Sequence, residues 1–283
     1  MKPSGQEMAR AELLLMDKKE GITSFSSLSV IKKENKGMKV GHAGTLDKFA
    51  SGLMIVLLGQ ATRLNPVFSS MGKSYIAEIT FGAETDTLDP EGTVIRTADL
   101  PERTRLEEVL PSFIGKQKQV PPAYSAIHVD GKRAYREARS GRGVEMPERD
   151  ITIETLDLLS FDGQKAVIST SVSKGTYIRA LARDIGKRAG SAAFVSALRR
   201  TSIGPFTLSD IGLGTKELLD KTGLFSDIVL DERHSKEIEN GWLDRRWILS
   251  DSDPSRPFAY LYLGSLFAFA ERREGRISIM GRF

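Results

Sequence analysis

From Lys73 to Gly82 polar and apolar positions alternate, with Tyr75, Ala77, Ile79 and Phe81 on one face and Ile76, Glu78 and Thr80 on the other. A period of two predicts a half-buried strand. Leu13 to Met16 is a short apolar run ending in Asp17-Lys18, which predicts a buried strand. Phe25, Leu28 and Ile31 recur every third position and predict a helix over Ser24–Lys33. Thr85 to Gly92 reads as a turn, with Thr93–Thr97 pairing back antiparallel, and Leu106–Phe113 reads as a short helix. The paired prolines of Val120–Ala126 exclude regular structure there. Lys132–Ser140 reads as a short basic helix closed by Gly141. Ile151–Phe161 and Ala166–Val172 read as two strands joined near Asp162-Gly163. Ser173–Arg179 then turns into a helix whose apolar stripe is Ile178, Leu181 and Ile185, with Arg179, Arg183 and Lys187 on another face. Strand pairs joined by short turns point to an α+β domain with a largely antiparallel sheet.

Near Thr222-Gly223 the texture changes. Phe225–Phe283 carries nine basic and ten acidic residues and ends in expected strands over Phe258–Ala270 and Arg276–Met280. This predicts a catalytic-sized body over residues 1–224 and a small β-rich appendage over 225–283.

A chain of 283 residues with 40% hydrophobic and 28% charged positions has an ordinary globular make-up. No apolar run has the length of a membrane span, and Met1–Glu7 has no signal-peptide core, so the expected place is the cytoplasm. The absence of cysteine excludes disulfides, thiolate metal sites and cysteine nucleophiles. With only His42, His128 and His234 as histidines, a metal centre is not expected. Net charge is +4, but Lys174–Arg200 holds seven basic residues against the single acid Asp184. Glu84–Glu108 leans the other way, with eight acids against Arg96, Arg103 and Arg105. The basic run suits a polyanion such as nucleic acid, or equally a solvated helix face.

Residues 41–54 concentrate the candidate chemistry: Gly-His-Ala-Gly-Thr-Leu-Asp-Lys-Phe-Ala-Ser-Gly-Leu-Met. Gly41, Gly44 and Gly52 permit backbone conformations and close approaches closed to other residues. They present Asp47, with His42 five positions earlier, ahead of the apolar run Leu53–Leu58. Asp47 reads either as a reactive carboxylate facing a bulky ligand or as a helix cap.

Further motifs follow in order: Lys73-Ser74-Tyr75, the stretch Val120–Tyr135, Ser173–Arg179, and Ala197-Leu198-Arg199-Arg200-Thr201. Together with Gly41–Asp47 this ordered set closely resembles the TruB family, bacterial synthases that make pseudouridine at position 55 of tRNA. The resemblance runs from about Leu13 to Ile211. It implies the pseudouridine synthase fold and makes Asp47 the catalytic nucleophile, Arg179 its ion-pair partner, and Tyr75 a residue that stacks on the flipped base and handles protons. His42 would fill the space the uridine vacates, and Tyr177 and Leu198 would line the uridine pocket. Without the family, Tyr75 and Leu198 would pass as core residues and Arg179 as a phosphate contact. Detaching, turning and rejoining uracil calls for a carboxylate, not a metal or redox cofactor. Unstacking the base costs roughly a few kcal/mol, and stacking on an aromatic side chain returns about 1–3 kcal/mol. Overall affinity must then come from backbone contacts.

Two departures from the family stand out: Lys19 follows Asp17-Lys18, and Lys48-Phe49 follows Asp47, where proline is usual. Both soften turn geometry without removing a reacting group. Residues 225–283 resemble a shortened PUA-like RNA-binding module. The reading is a stand-alone, monomeric tRNA pseudouridine synthase, with Val120–Glu148 as a clamp over RNA and neither guide RNA nor protein partner nor membrane required. Its rivals are a non-catalytic RNA-binding protein, a guide-RNA-dependent relative, and a phosphoryl-transfer enzyme using Asp86 or Asp89.

Overall fold

The structure, a computed structural model, describes residues 11–124, 128–129, 132–133, 146–229, 231–239, 252–263, 266–273 and 276–281. In chain order the first elements are β1 (Ala11–Lys18), α1 (Ser24–Ser27), α2 (Ser29–Glu34), β2 (Val40–His42), β3 (Ser51–Gly59) and α3 (Asn65–Ser69). Then come β4 (Lys73–Phe81), β5 (Ala83–Thr85), β6 (Val94–Thr97), α4 (Arg103–Val109) and β7 (Gly115–Gln119). Next are β8 (His128–Val129), β9 (Lys132–Arg133), β10 (Arg149–Phe161), β11 (Lys165–Val172), α5 (Ile178–Arg188) and β12 (Ala193–Ile203). The chain closes with β13 (Phe206–Thr207), α6 (Thr215–Thr222), β14 (Phe225–Val229), α7 (Glu232–Glu239), β15 (Phe258–Leu263), β16 (Leu266–Arg273) and β17 (Arg276–Gly281). The result is an α+β fold with a mostly antiparallel sheet and additional C-terminal strands.

The chain divides into two compact units, one of residues 1–47, 52–70 and 203–283, the other of 48–51 and 71–202. In the first, β1 runs antiparallel to β3 from Ala11↔Gly59 to Lys18↔Gly52, and β2 pairs the same strand through His42↔Val56. Leu53 to Leu58 are wholly buried. Sequestering one such aliphatic side chain is worth about 1.5–3 kcal/mol, so this run anchors the loop that precedes it. Leu28, Val56 and Leu58 pack with Leu14, Met16, Ile31, Met38 and Val40. The expected helix over Ser24–Lys33 is interrupted at Leu28, which caps α1 and precedes α2. Phe25 consequently lies 71% exposed, with the Lys32 ammonium 3.4 Å from its ring centroid. Its threefold spacing from Leu28 indicated a buried face that the break redirects. Farther along, β14 joins β15 in parallel and β15–β17 form an antiparallel meander. Phe225 stacks on Phe258 at 5.2 Å and meets Phe269 edge-on, giving this small sheet its own aromatic core.

The second unit carries the strand order β12-β4-β11-β10-β7. The alternation read from Lys73–Gly82 is realised: Tyr75, Ala77, Ile79 and Phe81 are buried and Ile76 is 41% exposed. β4 and β10 both run antiparallel to β11, and Asp162 accepts from the backbone N–H groups of Gln164 and Lys165 in the β10–β11 turn. The α5 stripe Ile178, Leu181 and Ile185 is buried as its spacing predicts. Arg179 departs from the expected basic face, being buried with the stripe.

The Lys132–Ser140 helix is not formed at its start, where Lys132–Arg133 is a strand paired with His128–Val129. Asp130-Gly131 between those pairs is the sequence signal of a two-residue hairpin, and it outweighs the helical spacing of the basic residues. Most of the Val120–Glu148 clamp lies outside the described residues.

Gly186 fixes how closely α5 approaches the start of β12. A Cβ built there would stand 2.7 Å from the Ala193 Cβ and 3.0 Å from its backbone nitrogen, and neither atom has a flexible arm to swing away. Helix propensity alone would make Gly186→Ala stabilising by about 1 kcal/mol. Overpacking should reverse the sign, for a net loss of about 1–2 kcal/mol. Urea unfolding of the two chains checks this; an equal or higher midpoint for Gly186→Ala would contradict the close contact.

Candidate functional site

Asp47 and His42 belong to the first unit. His42 ends β2, where its carbonyl accepts from the Asn65 side-chain amide at 2.8 Å. Ala43 then donates its N–H to the Ile55 carbonyl, holding the loop to the buried β3 run. Gly44 and Gly52 have φ of 104° and 112°, conformations that suit glycine. Gly41 does not share that need: it lacks a positive φ, and a Cβ there would make only ordinary contact with Thr62.

The turn just before Asp47 is pinned by one buried hydroxyl. Ser24 Oγ accepts from the Leu46 N–H at 2.8 Å and donates to the Leu46 carbonyl at 2.9 Å. Both bonds are shielded from water, so the residue preceding Asp47 has a defined backbone orientation even though the usual proline is absent. Asp47 itself is partly buried. In the second unit Lys48 extends to Glu91 in an exposed pair at 2.7 Å, which holds its ammonium above the usual lysine value, while Phe49 is buried.

Tyr75, Tyr177, Arg179 and Leu198 belong to the second unit. Tyr177 precedes α5, with its N–H donating to the Gln119 side-chain carbonyl at 2.9 Å and its carbonyl accepting from the same amide at 3.1 Å. One buried glutamine on β7 thus sets the entry to the helix that carries Arg179. Leu198 is buried on β12.

Arg179 is only 5% exposed. One nitrogen, Nη1, donates to Asp89 Oδ2 and to the Thr87 carbonyl, both at 2.8 Å, and Nη2 donates to the Tyr124 carbonyl at 3.1 Å. Asp89 Oδ1 in turn accepts from the Thr87 hydroxyl at 2.6 Å and from the Glu91 N–H at 3.0 Å. Between Thr87 and Asp89 stands Leu88, the one non-glycine with positive φ, 61°, among the described residues. Such backbone costs about 1–3 kcal/mol and persists where surrounding contacts over-determine it. Here those contacts are the Leu88 N–H to the Thr85 carbonyl and the Val195 N–H to the Leu88 carbonyl. The strained turn brings the Thr87 carbonyl and the Asp89 carboxylate to the same guanidinium nitrogen.

Asp89 is the residue whose role sequence reading missed, having treated it as a rival phosphoryl-transfer acid. Its visible signal is the Thr-Asp-Thr-Leu-Asp-Pro turn, dense in carboxylates yet opposite no basic residue in the linear chain. Arg200 is the second: given no role of its own within the basic run or the Ala197–Thr201 motif, it is 1% exposed and hydrogen-bonded to the Tyr75 side chain.

A groove of about 440 Å³ lies beside β7 and α5, lined by Lys118, Arg183, Lys187 and Arg188 with Phe113 and Asp184 among its walls. It contains none of the six expected site residues.

Lys73, at the start of β4, has its ammonium pushed down to about 8, first by burial and then by the charges of Arg200 and Lys174. A lysine whose folded value lies below its unfolded value binds fewer protons in the folded state, so this group favours folding progressively as pH rises from about 8 to the ordinary lysine value near 10.5. Removing the charge by Lys73→Met should therefore raise stability most below pH 8, with the advantage shrinking toward pH 10.5. Urea midpoints of both chains across that range test it; a pH-independent difference would contradict the burial of a charged ammonium.

Against known families, residues 32–178 match the model for the TruB family pseudouridylate synthase, N-terminal domain. A tRNA pseudouridine synthase B from Borreliella burgdorferi is 41% identical over 239 residues, covering 81% of this chain and 84% of that protein. One from Fusobacterium nucleatum is 47% identical over 197 residues, covering 69% of each. Among solved structures, a Cbf5-Nop10-Gar1 complex aligns with 99% of this chain and 88% of its own at a TM-score of 0.66 and 20% identity. An H/ACA RNP bound to a substrate RNA containing 2'-deoxyuridine aligns at a TM-score of 0.59 and 19% identity, covering 98% of this chain and 84% of its own. Those two likenesses concern the fold.

Proposed function

The chain belongs to the TruB family of pseudouridylate synthases, and from that premise we propose that it converts one uridine in the T-arm of tRNA, position 55, to pseudouridine as a single chain. Asp47 is the nucleophile and Arg179 its partner, a guanidinium of the kind that keeps a carboxylate ionised. Whether that carboxylate adds to the sugar or to the base, the step needs an anion held in one orientation. The observation that carries the reading is the built support for both partners. Ser24 grips the residue before Asp47 through two hydrogen bonds, and Asp89 with two carbonyls grips Arg179 through three. A purely RNA-binding protein has no use for a carboxylate and guanidinium set this firmly.

In this scheme Tyr75 stacks on the everted uracil and takes part in proton transfer. Tyr177 and Leu198 line the uridine pocket, and His42 fills the gap left in the loop. The groove carrying Lys118, Arg183, Lys187 and Arg188 supplies phosphate contacts that do not depend on sequence, and Val120–Glu148 closes over the RNA. Residues 1–224 act as the catalytic domain and 225–283 as a small PUA-like domain. The chain acts as a monomer, and the stand-alone reading, without guide RNA or protein partner, is supported by 41–47% identity to bacterial tRNA pseudouridine synthases B against 20% for the chain in the Cbf5 complex. No helix among the described residues is long and apolar enough to cross a membrane, in keeping with a cytoplasmic enzyme. No cofactor is called for.

Asp47→Asn should keep tRNA affinity and abolish turnover, read as tritium release from uracil C5 of a labelled transcript; release at the wild-type rate would reject the nucleophile. For Asp89→Asn, which keeps the shape but loses the charge opposite Arg179, single-turnover rates should fall about 10- to 100-fold through misplacement of the guanidinium. Filter-binding affinity for the same transcript should stay unchanged. An undiminished rate would mean that Asp89 serves folding alone.

A further inference from the structure

An ordinary phenol needs a prepared environment to take part in proton transfer as proposed for Tyr75. Tyr75 lies on the buried face of β4, and β12 is the neighbouring strand. From β12, Arg200 reaches the phenol with its side chain in a hydrogen bond. It is the largest fully buried side chain among the described residues, at 1% exposure. A guanidinium has N–H donors and no acceptor, so the phenol oxygen must be the acceptor in that bond. The phenol's own proton is thereby turned away from Arg200.

Other charges reinforce the arrangement. Lys73 is two residues before Tyr75 on the same face of β4, with its ammonium donating to the Met71 carbonyl at 2.5 Å. Lys174, in the turn between β11 and α5, and Arg200 both act on Lys73 strongly enough to help push it down to about 8. On the other side, β11 offers Thr170 opposite Tyr75, a neutral residue whose hydroxyl is committed to the Thr155 carbonyl. The charged groups named here, Arg200, Lys73 and Lys174, are all positive. Within a shielded site such charges favour an anion on the phenol oxygen over a neutral phenol.

We propose that Arg200 is a positioning residue for the reaction, fixing the Tyr75 oxygen as an acceptor aimed at the hydrogen on C5 of the target uracil. The proposal rests on the catalytic reading of Tyr75. Once uracil has rejoined the sugar through C5, that carbon bears both the new C–C bond and its original hydrogen. The Tyr75 phenolate takes the hydrogen as a proton, forming O–H as C5–H breaks. The C–H electron pair becomes the C5=C6 double bond, the C6=N1 pair moves to N1, and N1 takes a proton from water. Tyr75 then returns its proton to solvent. Arg200 touches neither base nor sugar; it acts only through the phenol.

The test compares wild type, Arg200→Lys, Arg200→Met and Tyr75→Phe in single-turnover C5 tritium release on a tRNA transcript between pH 6 and 10, with tRNA affinity measured alongside. For Arg200→Met the rising limb of the rate should move up by about one pH unit or more, which is about tenfold at neutral pH. Raising the pH should recover most of the rate, and Arg200→Lys should fall between the two. An equal loss at every pH, or no loss, would overturn the proposal. Should Arg200→Met fail to fold, ultraviolet tyrosinate titration of wild type against Tyr75→Phe isolates one of the six tyrosines without touching Arg200. Its ionisation is expected below that of the others, and a value at or above theirs would overturn the proposal. Full tritium release by Tyr75→Phe would sink the catalytic reading of Tyr75, whereas the titration still reads the Arg200 contact by itself.

Discussion

A guanidinium at 5% exposure is tolerable in a protein interior only when its charge is met, and Arg179 meets this through Asp89, with the carbonyls of Thr87 and Tyr124 accepting further bonds from its terminal nitrogens. Removing two charges from water costs several kcal/mol per ion, recovered only with near-ideal geometry. That demand explains the backbone around it. Leu88 accepts a positive φ, and Thr87, Asp89 and Glu91 close a network in which the carboxylate accepts three hydrogen bonds. Gln119 holds both backbone polar groups of Tyr177 and so sets the start of α5, from which Arg179 emerges. The sheet order that sets β4 between β11 and β12 supplies the rigid platform.

Much of this architecture is written in local periodicity. The alternation at Tyr75–Phe81 and the stripe of Ile178, Leu181 and Ile185 predict their buried faces because burial there repeats with the element's own geometry. Where a residue's fate depends on a partner far away in the chain, spacing fails. Arg179 shares its four-residue rhythm with Arg183 and Lys187, yet it alone of the three is buried, because Asp89, ninety positions earlier, awaits it. Arg200 reads as one more cation in a basic run until β12 lies beside β4. Phe25 keeps helical spacing with Leu28 but loses it in space when the helix breaks. The ordered motifs carry more than periodicity does: they identify the family, whereas the support around each motif residue emerges only from long-range contacts.

The losses of proline after Asp47 and after Lys18 gain a physical answer. Ser24 clamps both polar groups of Leu46, and Lys18, fully buried, donates to the carbonyls of Lys19 and Ile22 at 3.0 and 2.7 Å. Hydrogen bonds from the buried side chains of Ser24 and Lys18 to backbone groups thus supply turn rigidity of the kind a proline ring would otherwise give. Catalysis as proposed is electrostatic and positional: a carboxylate on a fixed turn, a phenol held as an acceptor, and a basic surface suited to a polyanion.

The most direct test of the account gives the purified single chain an unmodified tRNA transcript, with no other protein or RNA, and maps pseudouridine by carbodiimide labelling and primer extension. One new stop, at the T-arm uridine, is the predicted result. A transcript left unlabelled, or labelled at uridines elsewhere, would contradict it.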